Sequence, residues 1–296
     1  MILLTGASGF IGKHLLSSLI ETYGKKNVLA LTSRPIAGCN YLLHNNYNFD
    51  VDFFKVNGVA DAVDTIIHAG AFTPKNSKQG NDWKNCNQNI YNIEKLISSF
   101  LPNLKRIIYL STLDVYGNAD LISEDSVIAP TSLYGHSKLY GEKLITSWAE
   151  STGTFGQILR IGHVYGPGEE AYQKVIPVTM RKLLLGETIE LWGTGADLRA
   201  FIYIDDIVKA ILNSLSLRED IGVVNLVSNY SISIKELIQQ IIDLSGKEAE
   251  IKLIPKEVEI RSLKFDNSKM LRYLLPKEHS LAEGLKSEWD YMLNLN

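Results

Sequence analysis

Cysteine is almost absent: Cys39 and Cys86 are the only two in 296 residues. They show no metal-ligand spacing and are too few for a disulfide framework, so both are expected as reduced thiols, with no metal. Long apolar runs are missing too. None approaches the ~20 residues that a spanning helix needs, so no membrane partner is expected. A surplus of charge is also lacking: 30 basic against 33 acidic residues leave a net charge of -3. That balance offers no footprint for nucleic acid or an anionic surface. Met1 leads straight into an apolar strand and a glycine turn, with no basic stretch or cleavage site before it, so a cytoplasmic protein is expected. Small-molecule chemistry is the class these absences leave.

Of the residues present, 45% are hydrophobic, enough for a large α/β domain or a main domain with a smaller lobe. Short apolar runs at Ile2–Leu4, Val28–Leu31, Thr65–Ala69, Arg106–Ser111 and Gln157–Arg160 read as strands, separated by helical patterns such as Lys13–Tyr23 and Leu133–Trp148. Such alternation predicts a parallel sheet flanked by helices. From Gly166 onward glycine and proline punctuate the chain, at Gly166-Pro167-Gly168, Pro177, Gly186 and Gly193-Thr194-Gly195. A smaller lobe is therefore expected over about 163–199 and 229–296, with residues 1–162 and about 200–228 forming the main domain. Within the latter, Ile221–Val227 reads as a late return to the main sheet. The helix Ile234–Leu244 and an irregular tail follow.

The opening MILLTGASGFIGKHLL is a strand, a turn holding Gly6, Gly9 and Gly12, and a helix. Glycines allow a tight turn and the close approach of backbone to a pyrophosphate, which then sits on the positive helix end. This order predicts dinucleotide binding. An acidic residue normally ends the second strand where NAD is preferred. Here LALTSRP places Thr32, Ser33 and Arg34, and Arg34 is suited to a 2′-phosphate, which tips the expected NAD(P) cofactor slightly towards NADP. Asp50 faces the adenine on one reading and closes a turn in NFDVD on the other.

In TSLYGHSKLYGEKL, Tyr134 and Lys138 stand four residues apart and leave one face of a helix. A phenol with unperturbed pKa near ~10 needs help to act as a base at neutral pH, and an adjacent ammonium favours the phenolate. Tyr134 is then able to exchange a proton with a substrate hydroxyl. The strand of IIYLSTLDVYG ends in Ser111 and Thr112, at the edge where open α/β sheets place their ligands. A hydroxyl there can orient the same substrate oxygen.

These stretches, with IIHAGA from Ile66, LRIGHVYGPG from Leu159 and LRAFIYIDDIVKAI from Leu198, resemble the extended short-chain dehydrogenase/reductases of the NAD-dependent epimerase/dehydratase family. The likeness runs over almost the whole chain, including FDNSKMLRYL and LAEGLKSEWDYM near its end. It implies a Rossmann-like, doubly wound α/β fold with a smaller mixed α/β lobe for a nucleoside-diphosphate sugar. By resemblance, Gly6, Gly9 and Gly12 bind the pyrophosphate, with Ser8, Phe10 and Ile11 in the same turn. Ala69 and Ala71 line the cofactor, and Ser111 neighbours it. Asn85 ties its helix to the sheet. Thr112 takes the family's Ser/Thr position, Tyr134 is the base, and Lys138 binds the nicotinamide ribose while lowering the tyrosine pKa. Arg199 contacts the substrate diphosphate and Arg261 is a second such arginine. A homodimer through Asn85–Phe100 and Leu133–Trp148 is the family-based expectation. Asp206 reads as a helix cap.

Departures from the family narrow the reaction. Its 4,6-dehydratases carry Asp-Glu after the threonine, where this chain has Leu113 and Asp114, so the acid that elimination requires is missing. His163 replaces the asparagine of N-V-Y-G-P and either binds the substrate or holds a loop. The leading expectation is a nucleotide-sugar epimerase working by hydride transfer and tyrosine acid–base catalysis, at C4. An NADPH-dependent 4-keto-sugar reductase is the alternative, and a non-catalytic NAD(P)-binding sensor is the alternative of another class.

Overall fold

The computed structural model describes residues 1–76, 78–255 and 263–295. Strands and helices alternate as the sequence predicts: β1 (Ile2–Thr5), α1 (Phe10–Tyr23), β2 (Val28–Thr32), β3 (Asn40–Leu43), α2 (Phe53–Val56), β4 (Thr65–His68), α3 (Trp83–Ile97), β5 (Arg106–Thr112), α4 (Leu133–Thr152) and β6 (Phe155–Ile161). The chain continues with β7 (His163–Tyr165), α5 (Val175–Leu185), β8 (Ile189–Trp192), β9 (Leu198–Tyr203), α6 (Ile204–Ser214), β10 (Val224–Leu226), β11 (Ser231–Ser233), α7 (Ile234–Ser245), β12 (Ile251–Ile254), α8 (Ser268–Tyr273) and α9 (Leu281–Asn294).

Seven strands form one sheet in the order β10-β6-β5-β4-β1-β2-β3. Each pairing from β6 through to β3 is parallel. The run of fully buried residues in β1 and β2 is the pattern of strands covered on both faces. Connections lead one way from β1 to β3 and the other way from β4 to β6, so the strand order reverses between β1 and β4. That is the Rossmann-like switch point, where carboxyl strand ends leave a crevice. The late return of the chain is β10, which joins the sheet beside β6. Leu3, Leu31, Ile66, Ile107 and Ile158 pack with Ile93 and Leu96 of α3 in one apolar cluster.

Two compact units emerge from the contacts. The first holds Met1–Gly117, Val127–Ile161 and Val208–Asn225, and the second Asn118–Ser126, Gly162–Ile207 and Leu226–Asn296. In the second unit β9 pairs antiparallel with β11 and parallel with β7, while β8 and β12 form a small parallel pair.

Two regions differ from expectation. The edge strand β3 went unread because Asn40, Tyr41 and Leu43 are exposed and supply no buried apolar run. The tail expected to be irregular contains β12, α8 and α9. Ser280 and Glu283 close a reciprocal capping box at the start of α9, a device that satisfies two amide groups otherwise left open. No helix among the described residues is long and apolar enough to cross a membrane.

Candidate active site

The glycine turn lies at the carboxyl end of β1. Gly6 has φ +69°, and a Cβ on it would stand 2.6 Å from the backbone of Ala69 and Gly70 beyond β4. A Cβ on Gly12 would overlap the Gly6 carbonyl, and the Gly9 amide donates to that carbonyl at 2.9 Å. At positions 6 and 12 only glycine fits this cradle. Helix α1 starts from Gly9 with no side-chain cap, so its first amides are not capped by a side chain of its own. Ser8, Phe10 and Ile11 are half-buried in the turn, as are Ala69 and Ala71 after β4. The residues present therefore fit a dinucleotide diphosphate.

Around this turn, Arg34 Nη2 donates to the Ser8 carbonyl at 3.3 Å, and the Thr32 hydroxyl donates to the Arg34 carbonyl at 3.0 Å. Ser8, Lys13, Arg34 and Ala37 line a cavity of about 680 Å³. Ser33 and Asp50 are exposed, and the Asp50 carbonyl accepts the Phe53 amide at 3.0 Å at the entry to α2. Thr5 Oγ1 accepts the Gly70 amide at 2.9 Å and lies 2.8 Å from His68 Nδ1. Burial, then the Lys138 charge, lowers the His68 pKa to about 3, so the imidazole is neutral.

Tyr134 and Lys138 are both buried on α4, 7% and 2% exposed. The Ser132 hydroxyl caps this helix by accepting the Gly135 amide at 3.1 Å. The side chains of Thr112, at the end of β5, and of Thr73 act on the Tyr134 phenol. Thr112 Oγ1 also accepts the Asp114 amide at 3.2 Å. Burial, followed by the Asp114 carboxylate, raises the phenol pKa, and the two threonines draw it back only in part. This reverses the expectation of a lowered tyrosine pKa. The Lys138 ammonium instead stands 4.2 Å from the centre of the Tyr109 ring. Burial brings its own pKa down to about 7 against the opposing pull of Glu142.

Further site residues differ from their expected contacts. Ser111 donates to Glu142 at 2.5 Å, so its hydroxyl is occupied within the sheet–helix packing. Asn85 is exposed and donates to Asp82 Oδ2 at 2.8 Å in the first turn of α3. The tie expected of it belongs to Asn89, one turn on. Buried Asn89 accepts the Phe72 amide at 2.7 Å and donates to the Phe72 carbonyl at 3.2 Å and to Ser137 at 3.3 Å. It thereby fixes the loop carrying Thr73. Asp206 lies in the first turn of α6, where its carboxylate accepts the His279 amide at 2.8 Å and lies 2.7 Å from His279 Nδ1.

In the second unit, His163 on β7 and Arg199 on β9 line a cavity of about 180 Å³ with Lys174, Glu169 and Phe201. Surrounding protein, then the Arg199 and Lys174 charges, lower the His163 pKa. Lys174 Nζ lies 3.0 Å from Glu169 Oε2 and donates to the Val164 carbonyl at 3.0 Å. Neither Lys174 nor Glu169 carries a sequence signal beyond being charged beside GPG. Arg261 lies outside the described residues.

The family model for the NAD dependent epimerase/dehydratase family matches residues 2–226. An uncharacterized UDP-glucose epimerase of Bacillus subtilis is 29% identical over 99% of this chain and 98% of its own length. The dTDP-D-glucose 4,6-dehydratase of Dictyostelium discoideum is 28% identical over 82% of this chain. The chain spans 62% of that relative's length and 46% of two longer plant relatives. The crystal structure of UDP-glucuronic acid 4-epimerase from Bacillus cereus, in complex with UDP-glucuronic acid and NAD, superposes with TM-score 0.85 and 26% identity. It covers 100% of this chain and 99% of that one.

Proposed function

The chain belongs to the NAD-dependent epimerase/dehydratase family, and from that membership we propose that it is a nucleotide-sugar epimerase acting at a hydroxyl-bearing sugar carbon, C4. The observation that carries this reading is the buried cluster of Tyr134, Lys138 and Thr112, in which the Thr112 and Thr73 hydroxyls act on the Tyr134 phenol. Tyr134 exchanges the proton of the sugar hydroxyl, Thr112 orients that oxygen, and Lys138 binds the cofactor ribose. Gly6, Gly9 and Gly12 hold the cofactor diphosphate on the α1 amino end. When bound, the nicotinamide supplies the hydride acceptor and donor. Arg199, Lys174 and His163 supply the side chains that meet the substrate diphosphate. At Leu113 no carboxylate stands ready for elimination, which argues against a 4,6-dehydratase.

Arg34 against the Ser8 carbonyl, with Lys13 on the same cavity, favours a second reading: an NADPH-dependent 4-keto-sugar reductase. Exposed Trp83 on α3, with Leu133 and Tyr140 on α4, provides apolar surface for a homodimer. A panel of nucleoside-diphosphate sugars and their 4-keto derivatives, read by product analysis and 340 nm absorbance, tests the function. Conversion at constant absorbance supports the epimerase, and conversion only with stoichiometric loss of reduced cofactor replaces it by the reductase. Tyr134→Phe is expected to lower turnover by roughly 10²–10⁴-fold with cofactor binding unchanged; turnover at the wild-type rate removes Tyr134 from the chemistry.

A further inference from the structure

Beneath the Tyr134–Lys138 pair lies a buried ionic network that the proposed reaction does not use directly. Glu142 follows Lys138 by one turn of α4 and is 4% exposed, as is Arg160 on β6. The two form a fork: Arg160 Nε donates to Glu142 Oε1 at 2.9 Å and Nη2 to Oε2 at 2.7 Å. Ser111 of β5 donates to the same Oε1 at 2.5 Å. Arg160 Nη1 also donates to the Tyr116 hydroxyl at 2.6 Å, which passes its own proton to Asn225 Oδ1 at 2.8 Å. One carboxylate of α4 is thus joined to β5, β6 and, through Tyr116, β10. A parallel fork of this kind fixes both distance and rotation.

We infer that Glu142 is a positioning residue: clamped by Arg160 and Ser111, it locks the rotation of α4 that presents Tyr134 and Lys138, and it is the anion that keeps Lys138 cationic. The inference rests on the proposed function only in taking that pair as the working one. Burying an ammonium requires a counter-charge. Tyr134 and Glu142 stand one helical turn to either side of Lys138 on α4; the Tyr109 ring of β5 lies under its ammonium, its charge is felt by His68 of β4, and Arg160 of β6 stands behind Glu142. From α3, Cys86 acts on Tyr134 rather than on Lys138, and Glu94 is taken by Tyr140. The Asp114 charge falls on Tyr134. Tyr109 and His68 are held neutral. Glu142 is therefore the carboxylate opposing the effect of burial on Lys138.

The test is a pH titration of Lys138 in the full chain labelled with ¹³C at lysine Cε, the resonance assigned by Lys138→Arg. In Glu142→Gln the midpoint should fall by about one pH unit or more, a tenfold change in the ratio of ammonium to amine. The alkaline limb of kcat should move down with it while KM holds. Should the lone variant leave Arg160 unpaired and fail to fold, Glu142→Gln with Arg160→Gln removes both charges and should move the midpoint in the same direction by less. A midpoint equal to wild type in either folded variant overturns the inference. The titration needs no substrate, so its failure is separate from that of the proposed activity, which Tyr134→Phe tests.

Discussion

Burial sets the protonation of single side chains here, and its sign differs with the group. Glu288 of α9 is 1% exposed, and burial, then the Glu169 carboxylate, pushes its pKa well above the usual carboxylate range. The folded chain keeps a proton that the unfolded chain, with its carboxyl near ~4.3, has released. Stability from this residue is full below that pH and is lost as pH rises towards the raised folded value. Glu288→Gln should therefore gain on wild type between pH 5 and pH 8, by a few degrees of Tm in scanning calorimetry. The opposite trend would mean that the Lys174 charge holds Glu288 as a stabilised carboxylate. At this scale the sequence was readable where chemistry is local. Tyr134 and Lys138 share one turn, and Thr112 is placed by the family resemblance of its stretch. Thr73, Asn89 and Glu142 were not readable as site residues, because their partners lie 17 to 61 positions away or are met only once α4 packs on β5. The pKa direction of Tyr134 was missed for the same reason: spacing reveals a neighbouring ammonium but not the burial that outweighs it.

Among the elements, α4 matters most because it carries both Tyr134 and Lys138, and its distance from β5 is set by a glycine. A Cβ on Gly141 would run into the hydroxyl of Tyr109, whose ring is 1% exposed and has no room to move. That same ring supports the Lys138 ammonium at 4.2 Å. Gly141→Ala gains up to about 1 kcal/mol of helix propensity but meets an overpacking cost of roughly 1–3 kcal/mol, more where the neighbour is rigid. The expected result is a lower denaturation midpoint together with reduced turnover, read by urea titration and assay. A variant more stable than wild type would show that α4 can shift away from β5. The strands and helices of the first unit were legible because continuous apolar runs and helical spacing survive in the sequence. Helix α9 was also written there, as Ser280 three residues before Glu283, but without the capping pattern being read its charged stretch looks like a tail. Strand β3 carries no such mark, since an exposed edge strand is held by its neighbour's backbone groups and not by its own side chains.

For the molecule as a whole, the parallel sheet brings the glycine turn after β1, the alanines after β4 and Thr112 on β5 to the same carboxyl edge, although they are far apart in sequence. A ligand bound to this edge in the folded chain alone stabilises it by mass action, about 2.7 kcal/mol at a concentration 100 times its Kd. Thermal denaturation with each dinucleotide therefore ranks the cofactors without any knowledge of the substrate. Two considerations compete. The Bacillus cereus relative was crystallised with NAD, whereas in this chain β2 ends without a carboxylate and Arg34 reaches back to the Ser8 carbonyl beside Lys13. A 2′-phosphate placed there gains charge-assisted hydrogen bonds that NAD lacks, so NADP should raise Tm by several degrees more than NAD at equal concentration. Arg34→Asp should reverse that order by repelling the phosphate while offering a carboxylate to the ribose hydroxyls. If NAD stabilises the wild-type chain more strongly, Arg34 is a surface charge and the reductase reading loses its support.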